Sequence, residues 1–155
     1  MKTAYINKSL SDEWGTPHDL FKKACAYFDV FPSLDVSATK EHTKCSKYFT
    51  KYDDALSKDW NSQAFYMNPL FSQAGKWIEY AYNQHRKHKI DGLLLLAVRT
   101  DTIAWQTFIL GIGHIHHNIW FLKGRVHYLD ESGTPSKNPS PFPSAFVYWK
   151  YKPWL

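Results

Sequence analysis

The sequence predicts an α/β protein built on a mostly parallel central sheet with antiparallel C-terminal strands. Three observations carry this expectation. Gly92-Leu93-Leu94-Leu95-Leu96-Ala97-Val98 is a continuous apolar run bounded by polar residues, the pattern of a central strand buried on both faces. Helix-like and strand-like segments alternate as far as Leu110, the order of a parallel sheet with helical crossovers. Beyond that point only short strands follow, so the sheet should close with antiparallel pairings.

Each element has its own signal. Residues 1–13 are polar and expected to be flexible. Thr16-Pro17-His18-Asp19 opens a helix over 17–28, with Thr16 as N-cap, Pro17 at the first position and Asp19 in the first turn. Leu20, Phe21, Ala24, Tyr27 and Phe28 then recur at helical spacing. Residues 33–38 read as a short strand, 47–50 as a weaker one, 53–58 as a helical turn and 64–67 as a strand. Ser72 caps a second long helix, with Trp77, Ile78, Ala81 and Tyr82 on one side. Its tail, His85-Arg86-Lys87-His88-Lys89, complements a helix C-terminus. Residues 102–110 read as helix with Trp105, Phe108 and Ile109 inward. Segments 119–122, 125–129 and 145–149 read as strands. Residues 130–144 hold Pro135, Pro139, Pro141 and Pro143 and read as a loop.

The bulk composition limits the class of protein. A chain of 155 residues is long enough for one good core, so 1–155 is expected to be one domain. With 44% hydrophobic and 21% charged residues it should be globular rather than disordered. Its net charge of +5 suits a polyanionic partner. Cys25 and Cys45 are too few for a disulfide framework or a zinc ribbon and read as reduced thiols. Cys25 belongs in the core, and nothing around Cys45 favours a thiolate. No apolar run approaches the ~20 residues that span a bilayer, and the start of the chain has no signal-peptide pattern. The expected location is the cytoplasm. His114, His116 and His117 form a cluster, but two ligands on one face without a third make a poor metal site, so no metal is expected.

Asn68-Pro69-Leu70-Phe71 is the most informative short segment. It follows the strand at 64–67 and precedes the second helix, which puts it at the C-terminal end of a strand. Open α/β sheets bind ligands at that end. The Asn68 amide and the neighbouring backbone carbonyl can accept hydrogen bonds from an amino group, and the Phe71 ring can stack on a flat heterocycle. Such a corner suits a planar amine such as adenine. It is one residue away from Asn-Pro-Pro-Tyr/Phe, the signature of amino-group methyltransferases, with Leu70 in place of the second proline.

Further segments turn this near match into a family resemblance. They are Trp14-Gly15-Thr16-Pro17, Leu34-Asp35-Val36-Ser37-Ala38, Lys44-Cys45-Ser46-Lys47-Tyr48-Phe49-Thr50 and Asp54-Ala55-Leu56 with Asp59-Trp60. After the tetrapeptide come Arg99-Thr100-Asp101-Thr102, Gly124-Arg125 and Pro141-Phe142-Pro143-Ser144. In their order and spacing the chain resembles the small phage and prophage DNA N6-adenine methyltransferases, relatives of the Dam enzymes. The resemblance implies a reduced, single-domain Rossmann-like fold with S-adenosylmethionine as cofactor and duplex DNA as partner. It would place the protein in the host bacterial cytoplasm.

The same resemblance implies roles. Asp35, with Ser37 in the same segment, looks like a shortened first cofactor motif in which the carboxylate accepts from the cofactor's ammonium group, although no Gly-x-Gly follows. As residues alone, Asp35 could also cap a turn. Asp54 is similar to the acidic residue that receives the cofactor's adenine amino group, and Asp53 stands beside it. Trp14, Thr16 and Pro17 resemble the segment that closes over the methionine part. Asn68, at the meeting of cofactor and substrate, and Pro69 would accept from the target amino group, while Phe71 stacks on the flipped base. Arg99, Lys123 and Arg125 are the expected DNA contacts, and the basic 86–89 tail and the 130–144 loop are weaker ones. With little room for a recognition domain, specificity should be low or confined to a short site, in a monomer or weak dimer. Two other readings stay open on the sequence. One is a DNA-binding relative without catalysis, masking sites or countering host defence. The other is a methyltransferase acting on RNA or on protein glutamine.

Overall fold

The computed structural model of the chain describes residues 14–111 and 118–151. The segment 1–13 and the histidine cluster at 114–117 lie outside the described residues. Helices α1 (His18–Phe28) and α2 (Ala74–His88) alternate with strands β1 (Leu34–Asp35), β2 (Lys47–Tyr48), β3 (Ala64–Met67) and β4 (Asp91–Ala97). A π-helical segment (Trp105–Leu110) leads on toward β5 (Ile119–Phe121) and β6 (Ser144–Trp149). The sheet order is β2-β1-β3-β4-β6-β5. The first four strands pair in parallel, and β6 and β5 pair antiparallel, as the sequence predicts.

Strand alternation divides the core between the two faces of this sheet. Phe65, Met67, Leu94, Leu96, Ala145, Val147 and Trp149 face Ile78 and Ala81 of α2, with Trp60, Trp105 and Ile109. Tyr66, Leu93, Leu95, Phe146 and Tyr148 face Ala24 and Cys25 of α1, with Val126 and Tyr128. Helices therefore cover both faces, which is why β4 reads as unbroken leucine rather than as an alternating strand. Close packing demands a glycine in that strand. Gly92 pairs with Phe65 across the sheet, and a Cβ on it would lie 2.5 Å from the Phe65 ring.

Several boundaries differ from expectation. Helix α1 begins at His18 with Pro17 in the cap position, and no side chain caps it. Thr16 spends its hydroxyl elsewhere, as described below. Helix α2 begins at Ala74 after a 3-10 turn at Phe71–Gln73 that contains Ser72, so Ser72 is not its N-cap. Residues 125–129 do not form a strand. Leu129 makes only isolated antiparallel bridges, to Gly15 and Pro135, because the proline-rich segment opposite offers no continuous ladder. The helix expected over 102–110 is present but wound as a π-helix from Trp105. Its last turn closes at Gly111, where any Cβ would collide with the Gln106 carbonyl five residues back.

Candidate active site

Parallel pairing brings the carboxyl ends of β1 and β3 side by side, with Asp35 opposite Tyr66. A cleft of about 920 Å³ opens there. Trp14, Thr16, Asp35, Ser37, Asp54, Asn68, Pro69 and Phe71 all line it, so residues far apart in sequence meet as expected. Pro17 is the exception: it does not line the cleft, because it starts α1 and turns the chain away.

Asn68 is fixed by three residues on two other segments of the chain. Its backbone N–H donates to Ser37 Oγ at 2.7 Å. Its side-chain amide nitrogen donates to the Trp14 carbonyl at 3.1 Å and to Thr16 Oγ1 at 3.2 Å. A carbonyl can only accept, so the amide nitrogen must be the atom facing Trp14. Both amide hydrogens are then in use, and Oδ1 accepts no hydrogen bond among the described residues. Nor does the carbonyl of Pro69. Thr16 Oγ1 is also 2.5 Å from the buried Tyr66 hydroxyl, whose ionisation burial pushes well upward. Trp14 is in turn placed by Gly15, which exchanges backbone hydrogen bonds with Leu129 at 3.0 and 2.7 Å. The His42 ring packs over Gly15 and donates to the Asp130 carbonyl at 2.7 Å.

Asp35 is buried and caps its own turn. Its carboxylate accepts from the backbone N–H groups of Ser37 at 3.2 Å and Lys44 at 2.9 Å. Burial pushes this carboxyl up to about 6, against the downward pull of those two hydrogen bonds and of the Lys44 charge. Capping accounts for part of the carboxylate's capacity to accept hydrogen bonds, and the residue lines the cleft. Asp54 contrasts with its neighbour. Asp53 accepts from the Thr50 backbone N–H at 2.8 Å and its hydroxyl at 3.1 Å, which closes the 50–53 turn, and Asp53 itself does not line the cleft. Asp54 lines the cleft, accepts no side-chain hydrogen bond among the described residues and holds a left-handed backbone, φ 50°. Trp77 lines the same cleft with its indole N–H buried and without a partner among the described residues.

Leu70 adopts φ −55°, within the range that proline imposes. The backbone at this position is therefore the one the usual second proline would set. Phe71 is half-buried, edge-on to Tyr128 at 5.8 Å and beside Phe142 at 5.9 Å.

Arg99, Lys123 and Arg125 emerge at this same edge of the sheet. Arg99 follows β4, and the turn 123–125 follows β5, whose extension is held by Leu122 donating to the Ser144 carbonyl at 3.0 Å. All three are exposed and none lines the cleft. Arg125 is engaged within the protein: its Nη1 donates to the carbonyls of Ser140 and Pro141. The basic tail of α2 lies at the opposite edge, just before β4 begins. There Lys87 pairs with Asp59 at 2.7 Å and His85 is buried against Trp149. The tail therefore lies away from the cleft. Cys25 and Cys45 are buried free thiols whose ionisation burial pushes up to about 11 and about 12. Among the described residues no group of metal-binding side chains occurs, and no helix is long and apolar enough to cross a membrane.

Sequence reasoning missed Tyr66, His42 and Tyr128. Tyr66 had a usable signal, since it stands two residues before Asn68 and so on the same side of β3. His42 had none, because only the tertiary fold brings it over Gly15.

A helix-covered, mostly parallel sheet with an asparagine-proline-aromatic corner at its carboxyl edge defines an α/β protein of the methyltransferase class. The chain belongs to the DNA N-6-adenine-methyltransferase (Dam) family, whose model matches residues 3–154. It is 24% identical over 152 residues to the DNA N-6-adenine-methyltransferase of Haemophilus phage HP1 (strain HP1c1), covering 98% of this chain and 86% of that protein. It is 34% identical over 62 residues to YfdM of Escherichia coli (strain K12), covering 40% of this chain and 67% of that protein.

Proposed function

We propose that the chain, as one domain, transfers a methyl group from S-adenosylmethionine to the N6 amino group of an adenine flipped out of duplex DNA. The observation that carries this reading is the orientation of Asn68: with both amide hydrogens donated inward, its oxygen is left as an acceptor beside the Pro69 carbonyl.

The cleft fits the cofactor in size and chemistry. Its volume lies in the range of small-molecule sites. Asp35 would take an ammonium group, Asp54 an amino group and Trp77 an acceptor, while Trp14 and Thr16 border the reacting end. When bound, S-adenosylmethionine supplies an electrophilic methyl on a sulfonium.

The adenine N6 lone pair is delocalised into its ring, and the amine becomes nucleophilic as it pyramidalises. Asn68 Oδ1 and the Pro69 carbonyl accept its two hydrogens and stabilise the positive charge that develops. Neither is a base near neutral pH, so the displaced proton leaves to solvent. Phe71, braced by Tyr128, stacks on the base and contributes about 1–3 kcal/mol. Most of the acceleration comes from positioning. Specificity is low or confined to a very short site, the protein acts as a monomer or weak dimer, and its place of action is the cytoplasm.

The proline-like backbone at Leu70 favours an active enzyme over a degenerate DNA-binding relative. Transfer of labelled methyl to duplex DNA, single-stranded DNA and RNA tests the reading. Wild type should label DNA best, and Asn68→Ala should lose at least ~100-fold of the rate with its circular dichroism unchanged. A wild-type protein that labels no DNA would overturn it.

A further inference from the structure

Beyond the cleft, an aromatic surface continues past Phe71. Phe142 lies 5.9 Å beyond it, half-buried, and the Arg99 guanidinium stands over the Phe142 ring at 5.4 Å. Two strands bring these residues together. Arg99 follows β4, and Phe142 precedes β6, which runs antiparallel to it with Ala97 opposite Ser144. The ladder continues past the strand ends, where Val98 donates to the Pro143 carbonyl at 2.8 Å. The loop segment carrying Phe142 is rigidly held. Arg125 donates to the carbonyls of Ser140 and Pro141, the Phe142 N–H donates to Ser140 Oγ at 3.2 Å, and the Ser140 N–H donates to the Val126 carbonyl at 2.8 Å.

The two arginines therefore differ in state. The guanidinium of Arg125 is tied to the loop through Nη1. That of Arg99 is exposed and makes no hydrogen bond or ion pair among the described residues, and its position is set by an aromatic face. A guanidinium held by cation–π attraction keeps its N–H groups available for a phosphate.

We propose that Arg99 grips a phosphate of the substrate strand next to the flipped adenine, and that Phe142 is the positioning residue that holds it there. Arg125 serves as the pin of the loop rather than as a DNA contact. The shelf Phe71-Phe142-Arg99 lets one rigid surface stack the target base and anchor its backbone. This rests on the reading of Phe71 as the stacking residue.

Equilibrium binding to a fluorescent duplex, followed by anisotropy across a salt series without cofactor, tests the shelf. Arg99→Gln should lower the slope of log affinity against log salt by about 1, the signature of one lost phosphate contact. Phe142→Leu, which keeps apolar bulk but has no ring face, should weaken binding about threefold, and Phe142→Tyr should restore it. In the Arg99→Gln background Phe142→Leu should have no further effect, because its action runs through Arg99. An unchanged slope in Arg99→Gln, or a Phe142→Leu loss that persists without Arg99, overturns the shelf. Because methyl transfer is measured separately, a shelf that fails in a protein that still labels DNA leaves the enzyme standing. A protein that binds no DNA sinks both.

Discussion

Asp35 is 2% exposed at the end of β1 and still carries an ionisable carboxyl. An acid whose pKa is raised on folding favours the folded state while protonated. That contribution is complete below its unfolded value of about 3.9, and it is lost as pH rises through about 6. A cationic ligand reverses the preference, since it binds the carboxylate. Cofactor affinity should therefore rise about tenfold between about pH 5 and pH 7, and Asp35→Asn should flatten the profile. Titration calorimetry at several pH values measures this, and a flat wild-type profile would remove Asp35 from the cofactor site. Leu70 offers a test of backbone preorganisation. Its φ of −55° already suits proline, and its N–H donates no hydrogen bond among the described residues. Leu70→Pro should then raise stability by about 0.4–1 kcal/mol in urea denaturation. A destabilised variant would mean that Pro69 cannot accept a following proline.

The elements show which signals reach the sequence level and which do not. Strands β3, β4 and β6 were legible because burial on both faces leaves a plain apolar run. Strands β1 and β2 shrank to two residues each, since the chain after Asp35 turns to give its N–H groups to the Asp35 carboxylate. The N-cap assigned to Thr16 failed because its hydroxyl binds Asn68 and Tyr66 instead of a helix end. The π-helix was hidden because five- and four-residue turns share nearly the same apolar spacing over six residues. Local chemistry in the sequence picked out Asn68, Pro69 and Phe71 as candidates, and all three line the cleft, whereas Tyr128 and His42, which brace its wall, arrive from distant segments. Sheet packing makes one sharp prediction. Gly92→Ala forces a Cβ against the fully buried Phe65 ring, with no room to move in either layer. It should cost about 1–3 kcal/mol by chemical denaturation, and Phe65→Leu in the same chain should recover part of the loss.

At the scale of the molecule, the antiparallel turn of β6 is what gathers the site. Parallel strands deliver Asp35, Asn68 and Arg99 to one edge, and the reversal brings the 140–144 segment to that edge as well. Ligand binding there should stabilise the whole chain. S-adenosylmethionine at about 100 times its Kd should add about 2.7 kcal/mol. That raises Tm by roughly 5–10 °C for a chain of this size, and Asp54→Asn should diminish the shift while leaving the unliganded Tm unchanged. The bond between Gly15 and Leu129 has a further consequence, in time rather than in space. Trp14 and Thr16 orient the Asn68 amide, and they are latched by a residue made more than a hundred positions later. A chain emerging from the ribosome thus carries Asn68-Pro69-Leu70-Phe71 long before the Asn68 amide can be oriented. On the proposed reading, the Asn68 amide can be aimed only once the chain has been made as far as Leu129, so products that stop short of it should transfer no methyl group to DNA.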